Sequence, residues 1–530
     1  MAVRITQKLL PRFKKSLNTS ATPISLEPSL NLSVKKPIEK SKLTEEFLRK
    51  FKTSFNINNI SARSTFIIGK TSPTFSQNQG IGNYKVDTSE EKTLDFDDGK
   101  RLFKSVTTGK LIRSILNQQM ASCDPIVNIG IWVMRSRLFD ISIFRYIILF
   151  VVKHTFYDHF CAGENLDEAR TTLQKLWNGG LKGIMDYGLE DATDNTSCDR
   201  NFNEFLRIVD TTKLLPPSSV SYACVKITAI CPNSLLKKVS DLLRWEHRDP
   251  SFHLLWKVDT LPVLSKSSPF YHTLDKPNHL TPTEEYDLER AHQRLLKLSE
   301  KCLEMNLPLL VDAEYSSVQP AIDYLTYSTM IRINRHGNRI VHGTIQAYFK
   351  DAKERLIQAT ETAEKMGVIL GLKLVRGAYL SHESSLASSL GFSSPIHENI
   401  QDTHACYDEC ASIMLEKVSK GTGAVVFATH NIESGKAAAW KAEEIGLEKN
   451  NEKVQFAQLK GMADGLSFAL NNAGFLVSKY LPYGPVEMVI PYLLRRAEEN
   501  KGLLATSAVD RQLMWNEIKR RLKAKIIRRV

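Results

Sequence analysis

Between residues 180 and 500 the chain repeats one pattern: a short apolar run, then a longer stretch with helical period. The runs are KGIMDYGLE (182–190), SYACVKITAI (221–230), LPLLVDAE (307–314), VHGTIQAYF (341–349), VILGLKLVRGAY (368–379), GAVVFATHN (423–431), KVQFAQLKG (453–461) and FLVSKYLPYG (475–484). Each is rich in branched residues or nearly continuously apolar, as strands buried on both faces are. Segments such as AYFKDAKERLIQATETAEKMG lie between them. Eight strand–helix units predict an α/β fold, a (βα)8 barrel of the TIM type.

The positions of the polar residues strengthen this reading. Lys226, Asp312, Glu314, Gln346, Arg376, His430, Asn431, Gln458 and Tyr480 fall in or just after the second halves of their strands. In such barrels the active site forms at the C-terminal strand ends. The connection from Ile230 to Leu307 is too long for one helix and contains SSPFYHTLDKPNHLTPTEE (267–285). That composition predicts a surface insertion within 231–306.

The formal charge of +13 invites a nucleic-acid reading, but it sits at the ends. Residues 1–26 carry five basic groups and no acid, and residues 515–530 carry seven basic groups against Glu517. The body between them is left near neutral, which argues against a nucleic-acid partner. The basic, hydroxyl-rich, acid-free start predicts a mitochondrial or plastid transit peptide over 1–30. A Ser/Thr/Asn/Lys-rich lead-in over 31–95 and a helical arm over 96–178 follow it. The most apolar stretch, 126–156, is interrupted by Arg135, Arg137, Asp140 and Arg145. It is too short between charges to span a bilayer, so it is expected as buried helix. In the tail, 511–530, Ile518, Leu522 and Ile526 recur among basic groups, giving a basic amphipathic helix. Such a helix either lies on an anionic membrane or docks on the domain.

No GxGxxG follows a strand, and there is no GxxxxGK[ST], HExxH or CxxC. Cys406 and Cys410 share a helix face without further ligands at suitable spacing, so they read as buried thiols and no metal site is expected. Three groupings remain. Asp312 and Glu314, two apart at a strand end, either face the barrel mouth together or cap the next helix. The segment from Lys373 to Tyr379, KLVRGAY, offers bases around a glycine. In the helix that follows Tyr480, Arg495 and Arg496 stand together, with Glu499 placed to hold a guanidinium. Two adjacent arginines suit a small carboxylate, although a solvated helix face explains them equally well.

In order along the chain, YDHFCAGE (157–164), MDYGLE (185–190), VKITA (225–229), DAEYSSVQPAID (312–323), TIQAYFKDA (344–352), KLVRGAY (373–379), ATHN (428–431), FAQLKGM (456–462), YLPYGPVE (480–487) and YLLRRAEEN (492–500) resemble the proline dehydrogenases. The resemblance implies a distorted (βα)8 barrel with an N-terminal helical arm, holding FAD. It implies oxidation of L-proline to Δ1-pyrroline-5-carboxylate, with hydride passing from C5 to the flavin N5 and electrons going on to a quinone. The family's catalytic and substrate positions correspond to Lys226, Asp312, Tyr480, Arg495 and Arg496, with Glu499 steadying the arginines and Tyr379, Leu459 and Tyr492 walling the ring. FAD is expected against Ala313, Gln346, Lys373, Val375, Gly377, Ala378, Thr429, His430 and Asn431. A peripheral place on the matrix side of the inner mitochondrial membrane is implied as well. Two rival readings are a hydroxyproline oxidase, whose branch commonly has serine at the Tyr480 position, and a flavin-free scaffold descendant.

Overall fold

The structure, a computed structural model, describes residues 94–502 and 504–527, side chains of 126, 135, 138 and 498–507 excepted. The readings placed on residues 1–93 lie outside the described residues. Eight parallel strands close into one barrel in sequence order. They are β1 (Lys182–Tyr187), β2 (Val220–Val225), β3 (Leu309–Val311), β4 (Val341–Gln346), β5 (Leu370–Val375), β6 (Gly423–Ala428), β7 (Val454–Leu459) and β8 (Val477–Tyr483). Each lies within its apolar run or extends it by one residue at the start. The runs outlast most strands because the chain stays buried where it turns across the barrel end.

The principal helices are α1 (Thr108–Ala121), α2 (Asp124–Arg135), α3 (Ser142–Val152), α4 (Leu166–Trp177), α5 (Asn195–Thr211), α6 (Asn233–Arg248), α7 (Pro282–Glu304) and α8 (Gln319–Ile333). They continue with α9 (Ala352–Lys365), α10 (Leu380–Ser389), α11 (Ile400–Ser419), α12 (Ile432–Glu444), α13 (Asp464–Asn472), α14 (Val486–Gly502) and α15 (Leu504–Ile527).

Strand alternation decides which side chains enter the barrel. In β5, Leu370, Leu372 and Leu374 pack outward while Gly371, Lys373 and Val375 point in; Gly371 is needed because a Cβ there would lie 2.8 Å from the His342 ring. Ile184, Tyr222, Cys224, Leu310, Val426 and Ala457 form the packed interior, with Tyr480 against them. The next inward position on β1 is Asp186, and those just past the ends of β2 and β3 are Lys226 and Asp312. The apolar plug therefore gives way to charge at the C-terminal end.

The 249–281 segment is not a loose insertion. Phe252, Leu254 and Leu261 are buried in the main core, Leu264 is buried as well, and Ser268 and Thr273 donate to Asp351 and Asp241, each at 2.6 Å. It ends where Thr281 and Glu284 form a capping box with Pro282 at the first turn of α7.

The arm crosses the barrel mouth. After the wide π turn Lys153–Tyr157, the Tyr157 hydroxyl donates to Gly484 O at 2.7 Å, and Lys460 Nζ donates to Asp158 O and His159 O. Tyr157, Phe160 and Cys161 bury against Val486, Val489, Tyr492 and Leu493 of α14. The expectation of a buried helix over 126–156 fails, however. No residue of α3 is buried; of its apolar side chains only Leu149 and Val152 pack on the core, and Arg145 pairs with Glu487 of α14. The C-terminal helix begins at Leu504 and docks for most of its length. Asp510 accepts from Gly465 N, while Arg521 donates to Phe103 O and Val106 O and pairs with buried Glu517. Its outer face, with Val509 and Trp515, is exposed, and so are Leu522 and Ile526 in its last turns.

Candidate active site

At the C-terminal ends of β1, β2 and β3, with side chains from β5 and β8, lies a buried ionic cluster. Lys226 Nζ donates to both Asp186 oxygens at 3.1 Å and lies 3.6 Å from Asp312 Oδ2. Lys373 pairs with Asp312 Oδ1, and the Tyr480 hydroxyl donates to Asp312 Oδ2 at 2.7 Å. The Cys224 thiol donates to Asp312 Oδ1 at 3.2 Å. Burial alone would raise the Asp312 carboxyl, but Lys373 and Lys226 overcome it and hold the group well below the usual carboxylate range. Asp186, Cys224 and Asp312 place ligand atoms within 4.8 Å of one another, the spacing of a metal site. The Lys226 ammonium already supplies the positive charge there.

Facing this cluster is α14. Arg495 makes a bidentate bond with Glu190, 2.8 and 2.9 Å, and stacks 5.6 Å above the Tyr379 ring. Burial raises the Glu190 carboxyl, and the Arg495 hydrogen bonds and charge more than reverse it. Tyr315 packs on Tyr379 at 4.4 Å. Arg496 is buried, 5.1 Å over the Tyr492 ring, and Leu459 packs in the same cluster as Tyr492. Glu499 is on α14, but its side chain lies outside the described residues. The described carboxylate of Arg495 is thus Glu190, which reaches it across the mouth rather than along the helix.

Asp312 and Glu314 both reach the barrel end but part company, and neither caps α8. Glu314 accepts from Thr228 N at 3.2 Å and Thr228 Oγ1 at 2.7 Å, and burial pushes it up to about 7.

The ends of β4 to β6 differ in chemistry. Gln346 donates to Glu314 O at 3.0 Å. Arg376 donates to His404 Nδ1, Thr429 Oγ1 and Ser434 Oγ at 2.7–2.9 Å, none of them a carboxylate. Asn431 caps α12 through Ser434 N at 2.9 Å. His430 Nε2 accepts from Leu459 N at 3.1 Å, so its proton sits on Nδ1; burial lowers the imidazole to about 3 and keeps it neutral. Gly377 has φ +142°, and a Cβ there would lie 2.4 Å from the Tyr348 ring. Ala313, Val375 and Ala378 line the same strand ends, half-buried.

The structure thus joins Lys226, Asp312, Lys373 and Tyr480 in one cluster and sets Arg495 and Tyr379 beside it. Sequence reasoning missed Glu190, Asp186 and Cys224 as members, and named Arg376 among the strand-end polar residues without assigning it a site. Glu190 and Asp186 lay within MDYGLE, where their strand-end position was the available signal.

The proline dehydrogenase family model matches residues 169–509. The chain belongs to the proline dehydrogenase family. It is similar to mitochondrial proline dehydrogenase 1 of Arabidopsis thaliana, 54% identical over 436 residues, covering 82% of this chain and 87% of the relative. Mitochondrial proline dehydrogenase 2 of the same plant is 52% identical over 437 residues, with 82% and 92% covered. Human hydroxyproline dehydrogenase is 31% identical, covering 81% of this chain and 94% of that one. Among solved structures, proline utilization A from Bdellovibrio bacteriovorus shares the fold, with TM-score 0.54 and 20% identity, over 77% of this chain and 42% of that longer one. Family membership makes the chain a proline dehydrogenase, an oxidoreductase acting on proline.

Proposed function

We propose that the chain oxidises L-proline to Δ1-pyrroline-5-carboxylate with bound FAD, in the sense that C5 loses a hydrogen with its electron pair and the ring nitrogen loses a proton. The observation that carries this reading is the ionic cluster facing two arginines across the barrel mouth. Two of the five Arg495 N–H groups go to Glu190, which leaves three for a substrate carboxylate, and Arg496 adds a second cation. Clamping the carboxylate fixes C5 against the barrel end, a gain from positioning. Tyr379, Tyr492 and Leu459 wall the ring. Lys226 and Lys373 hold Asp312 ionised, and Asp312 in turn orients the Tyr480 hydroxyl. That bonded tyrosine favours proline over hydroxyproline.

The residues fit FAD. Apart from the substrate-side Asp312 and Glu314, the expected cofactor strand ends, from Gln346 through Gly377 to Asn431, carry no carboxylate, and Arg376 hydrogen-bonds none. With the start of α12 beside it, this donor set suits a pyrophosphate. Gln346, Lys373, Val375, Gly377, Ala378, Thr429, His430, Asn431 and Ala313 would line the cofactor. When bound, the flavin supplies the two-electron acceptor. Purified protein should be yellow and bleach on anaerobic addition of L-proline; a colourless protein, or colour that proline leaves unchanged, refutes the reading.

The named mitochondrial relatives support import into mitochondria, directed by residues 1–30. A reporter fused to that segment should accumulate there, and accumulation in plastids or cytosol would refute it. We further read the enzyme as peripheral on the matrix side of the inner membrane, handing electrons to a lipid-soluble quinone.

A further inference from the structure

Helix α3 is the least ordinary surface of the molecule. Ile143, Phe144, Tyr146, Ile147, Phe150 and Val151 are between 44% and 64% exposed. At about 100° per residue these six span an unbroken arc of roughly 160° with no charged position in it. The helix's one charge, Arg145, turns to the body and pairs with Glu487 at 3.1 Å. On the neighbouring α2, Ile129 and Trp132 are exposed at 61% and 63%. Eight exposed apolar side chains on two successive helices are more than the singly scattered ones of an ordinary soluble surface.

The shape and chemistry decide what covers this surface. It is convex, and its arc offers no hydrogen-bonding group except the Tyr146 hydroxyl. A protein partner would need a matching groove and would find almost no polar contacts to fix its register. A fluid hydrocarbon needs neither. Trp132 and Tyr146 are the amphipathic aromatics that settle at a bilayer's interface. Eleven residues of helix rise about 16 Å, half the ~30 Å hydrocarbon core, so α3 cannot cross. No helix among the described residues is long and apolar enough to do so.

We propose that α3, with the Ile129–Trp132 edge of α2, lies in the plane of a phospholipid bilayer with its apolar arc among the acyl chains. The assignment rests on the reading of a peripheral membrane enzyme and gives it a surface. Leu149 and Val152, on the inner side of α3, pack on the cluster that holds Val486, Val489 and Leu493 of α14. The lipid-facing helix is therefore one layer from the helix that carries Arg495. The docked C-terminal helix is not the anchor.

Flotation of the full chain with phosphatidylcholine vesicles, with and without cardiolipin, tests this. Wild type should float with both. The variant Ile143→Ser/Ile147→Ser/Phe150→Ser should lose partitioning at least 30-fold. Its proline turnover with a soluble dye should stay unchanged, since none of the three is packed inside. Leu522→Ser/Ile526→Ser should change partitioning less than threefold. The proposal is overturned if the α3 variant floats like wild type, or if the tail variant alone is released. It is equally overturned if wild type binds neither vesicle, or if the α3 changes dissolve a dimer in lipid-free buffer, which would make the patch a contact between copies. Loss of dye-coupled turnover in the wild type would refute the proline reading and leave partitioning untouched.

Discussion

On the β1–β3 side of the barrel mouth, Lys226, Lys373 and Arg495 are each bonded to a carboxylate, whereas at the ends of β5 and β6 the Arg376 guanidinium is held by two hydroxyls and an imidazole. The first sector is neutralised from within: Asp186, Asp312 and Glu190 match its three cations. A zwitterion can exchange into such a network without stranding a charge. The second sector has fixed geometry, and its guanidinium bonds only neutral acceptors while Asp408 opposes its charge without a hydrogen bond, so an incoming anion can still bind there. Burial enforces both solutions, because an unpaired ion in either place costs several kcal/mol. On the proposed reading, the difference separates a place for a small amino acid from a place for a phosphate-bearing cofactor.

The sharpest way to break this comparison is Arg376→Met. It removes the cation that no carboxylate hydrogen-bonds and takes one donor from each of Thr429, Ser434 and His404. The expected loss is about 4 kcal/mol of flavin binding, roughly a thousandfold, read by flavin titration of the apoprotein. Arg376→Lys keeps the charge but not the fork and should fall between. Unchanged flavin affinity in the Met variant would remove the basis for separating the two sectors.

Next in size is Arg495→Met, which should lower kcat/KM for proline by about 3 kcal/mol, roughly 100-fold. Part of any loss could come from stranding Glu190 as an unpaired buried carboxylate. The double variant Glu190→Gln/Arg495→Met separates the two effects. Activity that stays low in the double variant supports the clamp, and activity that returns assigns Arg495 a structural role. Pyrrolidine, which lacks the carboxylate, should be turned over nearly as well by the single variant as by wild type.

The two sectors were not equally legible in the sequence. All eight strands could be read because parallel strands covered by helices must be apolar on both faces. The strand-end polar residues followed from the barrel's polarity. Arg495 and Arg496 stood out as a pair, but their partner was sought four residues along the helix, since local spacing is all that a single sequence offers. Glu190 is more than three hundred positions away and meets Arg495 only because β1 adjoins β8 in the closed barrel. Helix α3 failed for the opposite reason. Its apolar residues were assigned to the core by hydropathy, which reports a preference for leaving water and not what is there to receive the side chain.

The smallest effect concerns Glu314, which joins the two sectors by accepting from Thr228 after β2 while its backbone carbonyl takes the Gln346 amide. Burial raises this carboxyl from 4.5 to about 7, so the folded protein holds a proton there that the unfolded chain releases. Its contribution is fully present below about pH 4.5 and is lost as pH rises through about 7. Glu314→Gln imitates the protonated form at every pH. Wild type should therefore lose stability relative to the Gln variant as pH rises from 5.5 to 7, by about 2 kcal/mol, a few degrees in Tm. Asp323, also raised to about 7 by burial, titrates in both proteins and cancels in the difference. If the difference in Tm is flat across that window, the Thr228 hydrogen bonds hold Glu314 ionised throughout. The balance drawn between Lys226, Lys373 and Arg495 and their carboxylates would then have to include a fourth acid, together with the Arg496 cation.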